Sequence, residues 1–120
     1  MADEKEGTGA PLGDLLPKET REKLEAAHGE IVAVETKCGV AAFRVFKGPE
    51  YDRYNKMIFD EKQRPTAFRA LVATCCVYPE GATFQAWLDR YPGITQTCLN
   101  HVLELGGVNA EAEAKKYGSA

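Results

Sequence analysis

The chain has 120 residues, 44% of them hydrophobic and 28% charged, with a formal net charge of −3. This is the composition of one ordinary globular domain, and its acidity gives no overall attraction to nucleic acid or anionic membrane. No apolar run approaches the roughly 20 residues that span a bilayer. The opening Met1-Ala2-Asp3-Glu4-Lys5-Glu6 is the reverse of a secretory signal, so a cytosolic protein is expected.

Residues 1–14 mix charges with Gly7, Gly9, Pro11 and Gly13 and show no apolar period, which predicts a flexible tail. Pro17 then suits a first helical turn. Leu16, Thr20, Leu24 and Ala27 fall on one face, Glu19 and Lys23 are spaced to pair, and Gly29 is placed to end this short helix. The period next changes to alternation. Ile31–Thr36 and Val40–Phe46 are rich in β-branched and aromatic residues around Lys37-Cys38-Gly39, a hairpin signal. Two strands alone are marginal in water, so this hairpin must lie on helices or pair its edge with another strand, such as one from a second subunit.

Gly48-Pro49-Glu50 opens a helix with Tyr51, Tyr54 and Ile58 on one face. After the charged linker Asp60–Arg64, Pro65 and Thr66 begin a helix with Phe68, Leu71, Val72, Cys75 and Cys76 at i, i+3, i+4, i+7 and i+8. Pro79 stops it and starts another, whose Phe84, Trp87, Leu88 and Tyr91 repeat the spacing. Pro92-Gly93 breaks again. Ile94, Cys98, Leu99, Val102, Leu103 and Leu105 cover most of a cylinder, which predicts a central last helix ended by Gly106-Gly107. The expected class is α+β, mainly α: a short N-terminal helix, one β-hairpin, then a compact cluster of four to five helices. A single globular domain is expected over 15–108, with the hairpin at about 31–46 and the helical half at about 49–107. Residues 109–120 are expected to form a short helix capped by Asn109, or a flexible tail.

The sequence assembles no catalytic set. Of two histidines, His28 suits a helix C-terminus, and His101 borders the apolar face of the last helix as a half-buried side chain. The only serine is Ser119, and there is no G-x-S-x-G, EF-hand loop or phosphate-cradling glycine run. Cys38, Cys75, Cys76 and Cys98 read as free structural thiols. Cys98-x-x-His101 is a lone half-site without its partner pair, so no metal and no cofactor are expected. Two surfaces suit binding. Arg44, Lys47, Arg53, Lys56, Lys62, Arg64 and Arg69, interleaved with aromatics, could hold single-stranded nucleic acid, though overall acidity opposes it. Phe46, Tyr51, Tyr54, Trp87 and Tyr91 are either core or the aromatic patch of a protein-binding groove.

The order of these signals resembles one family. Phe43-Arg44-Val45-Phe46-Lys47-Gly48-Pro49 followed by Glu50-Tyr51-Asp52-Arg53-Tyr54 is similar to the F-x-x-P-x-x-x-E-Y-x-R-F segment of tailed-phage tail assembly chaperones, the lambda G-like family. Ala70-Leu71-Val72 with Cys76-Val77-Tyr78-Pro79 resembles their L-V-x-x-C-V-V-Y-P helix end. Phe84, Tyr91-Pro92-Gly93, Asn100 and Leu103-Glu104-Leu105-Gly106-Gly107 follow the closing pattern. Gly48 departs from it, since another residue commonly precedes that proline. The resemblance spans about Glu30 to Gly107 and rests on structural signatures that gain meaning as an ordered set. It implies a small protein of the host cytoplasm that binds the tape-measure protein, keeps it soluble, helps recruit tail-tube subunits and acts as a homo-oligomer. Other classes stay open at this point: a small nucleic-acid-binding regulator using residues 44–69, or a minor virion structural or adaptor protein.

Overall fold

The computed structural model describes residues 15–108. The expected tail over 1–14 and the helix or tail from Asn109 lie outside the described residues. Helix α1 (Lys18–His28) leads into strands β1 (Ile31–Thr36) and β2 (Gly39–Arg44). Helices α2 (Gly48–Ile58) and α3 (Arg64–Cys75) follow, then a short strand β3 (Cys76–Tyr78) and helices α4 (Gly81–Arg90) and α5 (Gly93–Leu105). The protein is thus mainly α with a small sheet, as the periodicities imply.

The hairpin closes through Thr36. Its hydroxyl donates to the Gly39 carbonyl at 2.7 Å and accepts the amides of Cys38 and Gly39 at 3.1 and 3.2 Å, so one side chain satisfies the turn's free backbone groups. Gly39 has φ +146°, and a Cβ there would meet the Trp87 ring at 3.2 Å. The register pairs Val34 with Ala41 and Val32 with Phe43. Alternation then sorts the side chains. Val32, Val34, Ala41 and Phe43 face the main core with α2–α5, while Ala33, Val40 and Ala42 face Leu15, Leu16 and Leu24 on the opposite side. A sheet apolar on both faces therefore needs α1 as a second cover.

The structure departs from the sequence expectation at Cys76. The apolar stripe of α3 continues to Cys76 in helical register, yet the helix ends at Cys75 and Cys76–Tyr78 pairs antiparallel with β2 through a register shift at Ala42/Phe43. A three-residue run rich in β-branched and aromatic side chains meets an open sheet edge, and ladder hydrogen bonds outweigh one more helical turn. The hairpin thus gains its extra strand from within the chain. Smaller departures follow the same logic. Val45 and Phe46 leave the second strand, Arg64 already belongs to α3, and Ala27 is exposed on α1, where no residue is fully buried. Tyr91 lies one residue beyond α4.

Phe43 and Phe84 meet edge to face at 5.6 Å in the centre of the main core. Phe43, Phe84, Leu88, Val72, Val102, Cys75 and Cys98 are sealed from solvent, and each larger side chain contributes on the order of 1.5–3 kcal/mol by burial. Helix α5 touches α3, α4 and the first two strands, which makes it the central helix. It stops in a Schellman motif: Val108 N–H donates to Leu103 O at 2.8 Å and Gly107 N–H to Glu104 O at 3.0 Å, with Gly107 at φ +93°. Gly106 does different work, because a Cβ there would stand inside the Phe46 ring. Gly106→Ala is expected to cost about 1–3 kcal/mol by overpacking. Gly81→Ala, facing open space at the start of α4, should be neutral or stabilising by up to about 1 kcal/mol. Urea melts followed by the fluorescence of Trp87, the single tryptophan, measure both.

Candidate functional site

Four rings form a continuous run. Phe46 stacks on Tyr51 with centroids 4.8 Å apart and planes 10° from parallel, Tyr51 meets Tyr54 at 6.0 Å, and Tyr54 meets Phe68 of α3 at 6.3 Å. The spacing Tyr51–Tyr54 places two rings on one face of α2, and the extended Lys47 bends Phe46 back over them. Tyr54 is only 8% exposed, and burial pushes its hydroxyl above the usual phenol range. A cleft of about 240 Å³ opens beside it between α2 and α3, lined by Glu50, Arg53, Met57 and Leu71 among others.

An ion-pair node anchors the start of this run. Arg44 Nη1 and Nη2 donate to the two Glu50 carboxylate oxygens at 3.0 and 2.8 Å, and Nη2 also reaches the Thr74 carbonyl at 3.2 Å. The Glu50 carboxylate accepts in addition the backbone N–H of Lys47 at 2.7 Å, capping α2. The two side chains are 16% and 24% exposed. The guanidinium hydrogen bonds hold Glu50 below the ordinary carboxylate range, and the same bonds raise Arg44.

The remaining expected aromatics stand elsewhere. Trp87 packs edge-on against Phe84 at 6.2 Å and lies under the hairpin turn at Gly39, partly buried. Tyr91 is covered by Lys37 Nζ, 4.6 Å from its ring centre, and by the Arg90 guanidinium at 5.4 Å. These two residues therefore belong to a second region, where Tyr91 lines a groove of about 630 Å³ between the hairpin end and the start of α5. Phe46, Tyr51 and Tyr54 are brought together. Trp87 and Tyr91 are not part of their run.

Phe59 stands apart from both groups. It follows the last residue of α2 and is 83% exposed. The loop after it is fixed by Asp60, whose carboxylate accepts Lys62 N–H at 3.0 Å and the Gln63 side-chain amide at 3.1 Å. A signal for it existed: Asp60 is a turn former, and a large ring just outside the helical stripe has no face to bury it.

Three cations of the basic stretch are engaged in the fold. Arg44 holds Glu50, Arg64 donates to the Ile58 carbonyl at 2.9 Å, and Arg69 joins α3 to α4 through Gln85 and Asp89, both at 2.7 Å. Lys47, Arg53, Lys56 and Lys62 stay exposed. His101, expected half-buried, is exposed instead, with Nδ1 3.8 Å from Glu104, whereas Cys98 is sealed. Cys98 and His101 therefore lie in different environments, and among the described residues no group of three or more His, Cys, Asp or Glu is placed to hold a metal. The four cysteines are free. Burial pushes the thiols of Cys75 and Cys76 up to about 11 and that of Cys98 to about 12.

Comparison with known proteins adds a family and a fold. The family described as a domain of unknown function (DUF6848) matches residues 39–115. The chain belongs to the DUF6848 family. Its match starts at the first residue of β2, so α1 and β1 precede the matched span. A solved structure of the uncharacterised protein rbstp2171 from Bacillus stearothermophilus is similar, with a TM-score of 0.66 and 18% identity over 79% of this chain and 99% of that one. At that identity the likeness shows the fold alone. No curated protein matches, and no helix among the described residues is long and apolar enough to cross a membrane.

Two outcomes follow for this DUF6848 protein. Glu50 has its folded-state value depressed, so its contribution is fully present above the unfolded carboxyl value near 4.5 and is lost as pH falls through the folded value. Arg44→Met should cost about 2 kcal/mol at pH 7, and Glu50→Gln should flatten the stability slope between pH 5 and 3. Urea midpoints across that range measure both. In native protein at pH 8, a colorimetric thiol reagent should react first with Cys38, since the other three are roughly 0.1% thiolate or less. All four should react in denaturant; a second equally fast native thiol would contradict the burial described.

Proposed function

We propose that this protein is a tail assembly chaperone of a tailed phage, acting in the host cytoplasm by binding the tape-measure protein, keeping it soluble and helping to recruit tail-tube subunits. The observation that carries the reading is Phe59, an 83% exposed ring on the same helix–loop as the half-buried ring of Tyr51 and the buried ring of Tyr54. A soluble domain gains nothing by holding a large apolar side chain in water. An apolar helix of a client gains an anchor there, since exposed aromatics provide contact area at small entropic cost. The ordered resemblance through Pro49-Glu50-Tyr51, Cys76-Val77-Tyr78-Pro79 and Gly106-Gly107 supports the specific client.

The mechanism requires no bond-making. Phe59 enters the client's apolar face from the end of α2, the helix on which Tyr51 and Tyr54 stack in one run with Phe46 and Phe68. Arg53, Lys56, Asp60, Glu61 and Lys62, all exposed and near Phe59 in the chain, would give the contact a polar rim. Several copies along one long client would shield its apolar helices until tube subunits replace them. Tyr91 and Trp87 form a separate contact region, suited to a second partner such as the tube subunit.

Co-expression tests the reading. Co-expressed with the tape-measure protein of the same phage, the wild type should move that protein from pellet to supernatant. Phe59→Ser should weaken capture about tenfold or more, as hot-spot aromatics contribute about 2 kcal/mol, with its own melting unchanged. An unaltered pellet fraction with the wild type defeats the proposal.

A further inference from the structure

The sheet ends on two edges that differ in kind. Strand β3 has three residues, pairs through a register shift and runs directly into Pro79, so its outer side is blunted by the devices natural sheets use against edge pairing. Strand β1 has six residues, regular register and no proline, lysine or bulge. Closure of the two-residue loop makes Thr36 and Gly39 a hydrogen-bonded pair, and bonding then alternates along the hairpin. Thr36, Val34 and Val32 bond to β2. The N–H and C=O groups of Ile31, Ala33 and Glu35 point away from it. Among the described residues none of these groups has a backbone partner. The helices that touch β1 meet it through its faces, α5 on the side of Val34 and α1 on the side of Ala33, so among the described residues no strand covers this edge. Ala33 is 8% exposed, its side chain packed with Leu16 and Leu24 on the α1 face.

We infer that β1 pairs edge to edge with β1 of a second copy, antiparallel about a two-fold axis at Ala33, joining two three-stranded sheets into one of six strands. The sequence is self-complementary in this register. Ala33 exchanges both bonds with Ala33 of the second copy, and Ile31 does so with Glu35 on either side. Val32 then lies beside Val34 of the second copy on the helical face, extending the apolar layer. Glu35 lies across from Ile31 and Glu30 across from Thr36, so no carboxylate faces another. A parallel arrangement would bring Glu35 against Glu35. The pairing gives the several-copy coating of the chaperone reading a surface, but it stands on the edge alone.

Light scattering coupled to gel filtration on the full chain should give a mass near twice 13.2 kDa at high concentration and a shift toward the monomer on dilution. Amide hydrogen exchange by NMR should show Ile31, Ala33 and Glu35 slowing at least tenfold between dilute and concentrated samples, while Val32 and Val34, bonded inside the hairpin, change little. Ile31→Pro removes an outward N–H at the first residue of the strand, a place proline tolerates, and should shift the protein to monomer. A monomer at millimolar concentration overturns the inference, and so does a dimer in which those three amides exchange as freely as before. If Ile31→Pro fails to fold, the wild-type exchange pattern decides. A monomer that still keeps the tape-measure protein soluble sinks the pairing alone, whereas a dimer that leaves the client in the pellet sinks the chaperone reading alone.

Discussion

Arg44 is the joint about which the helical half is set on the sheet. It is the last residue of β2, it grips Glu50 in the first turn of α2, and it reaches Thr74 near the end of α3. A bidentate guanidinium–carboxylate pair is directional as well as attractive, so it fixes the angle at which α2 leaves the sheet. Lysine could supply the charge but not the fork. Because Glu50 also caps Lys47, the extended link Val45–Lys47 is held at both ends. That link is what lays Phe46 across Tyr51 and against Gly106. The stacking of Phe46 on Tyr51 and its fit against Gly106 depend on this contact.

A second constraint comes from the sheet having apolar side chains on both faces. Val34 and Phe43 face the helical cluster, and Ala33 and Ala42 face Leu16 and Leu24. The small side chains on the second face allow close approach of α1, a helix with no fully buried residue of its own. Helix α1 is thus held mainly by Leu16 ahead of it and by Leu24. Such an element opens at low free-energy cost compared with α5. The DUF6848 match begins at Gly39 and leaves α1 outside, together with the core strand β1.

Much of this fold was legible in the sequence because its punctuation is strong. Proline at Pro49 and Pro65 opens helices, Gly29 and Gly107 adopt positive φ where helices end, and the change of period at Ile31 marks the hairpin. What escaped was decided by tertiary competition. No local pattern says that Cys76 prefers β2 to a further turn of α3, since both placements bury the same thiol. The role of Gly106 is hidden for a similar reason: its neighbour is Phe46, sixty residues earlier. At the candidate site, spacing grouped Tyr51 with Tyr54 correctly. It also grouped these two with Trp87 and Tyr91, which pack in the other region, Trp87 under the hairpin turn and Tyr91 beneath two cations.

The perturbed polar groups share one pattern: Glu50 goes down in its ion pair, and the buried thiols and Tyr54 go up, each away from neutrality. Those shifts are the marks of packing and of a structural ion pair. Against them stands one large ring left in water at the end of α2, on a loop made rigid by Asp60. Rigidity there matters, because a mobile Phe59 could find partial shelter on its own domain and would lose that shelter on binding. Under the proposed chaperone reading, Phe59 held outward would meet a client with its solvation cost already present in the free protein, and covering it would become net driving force for association.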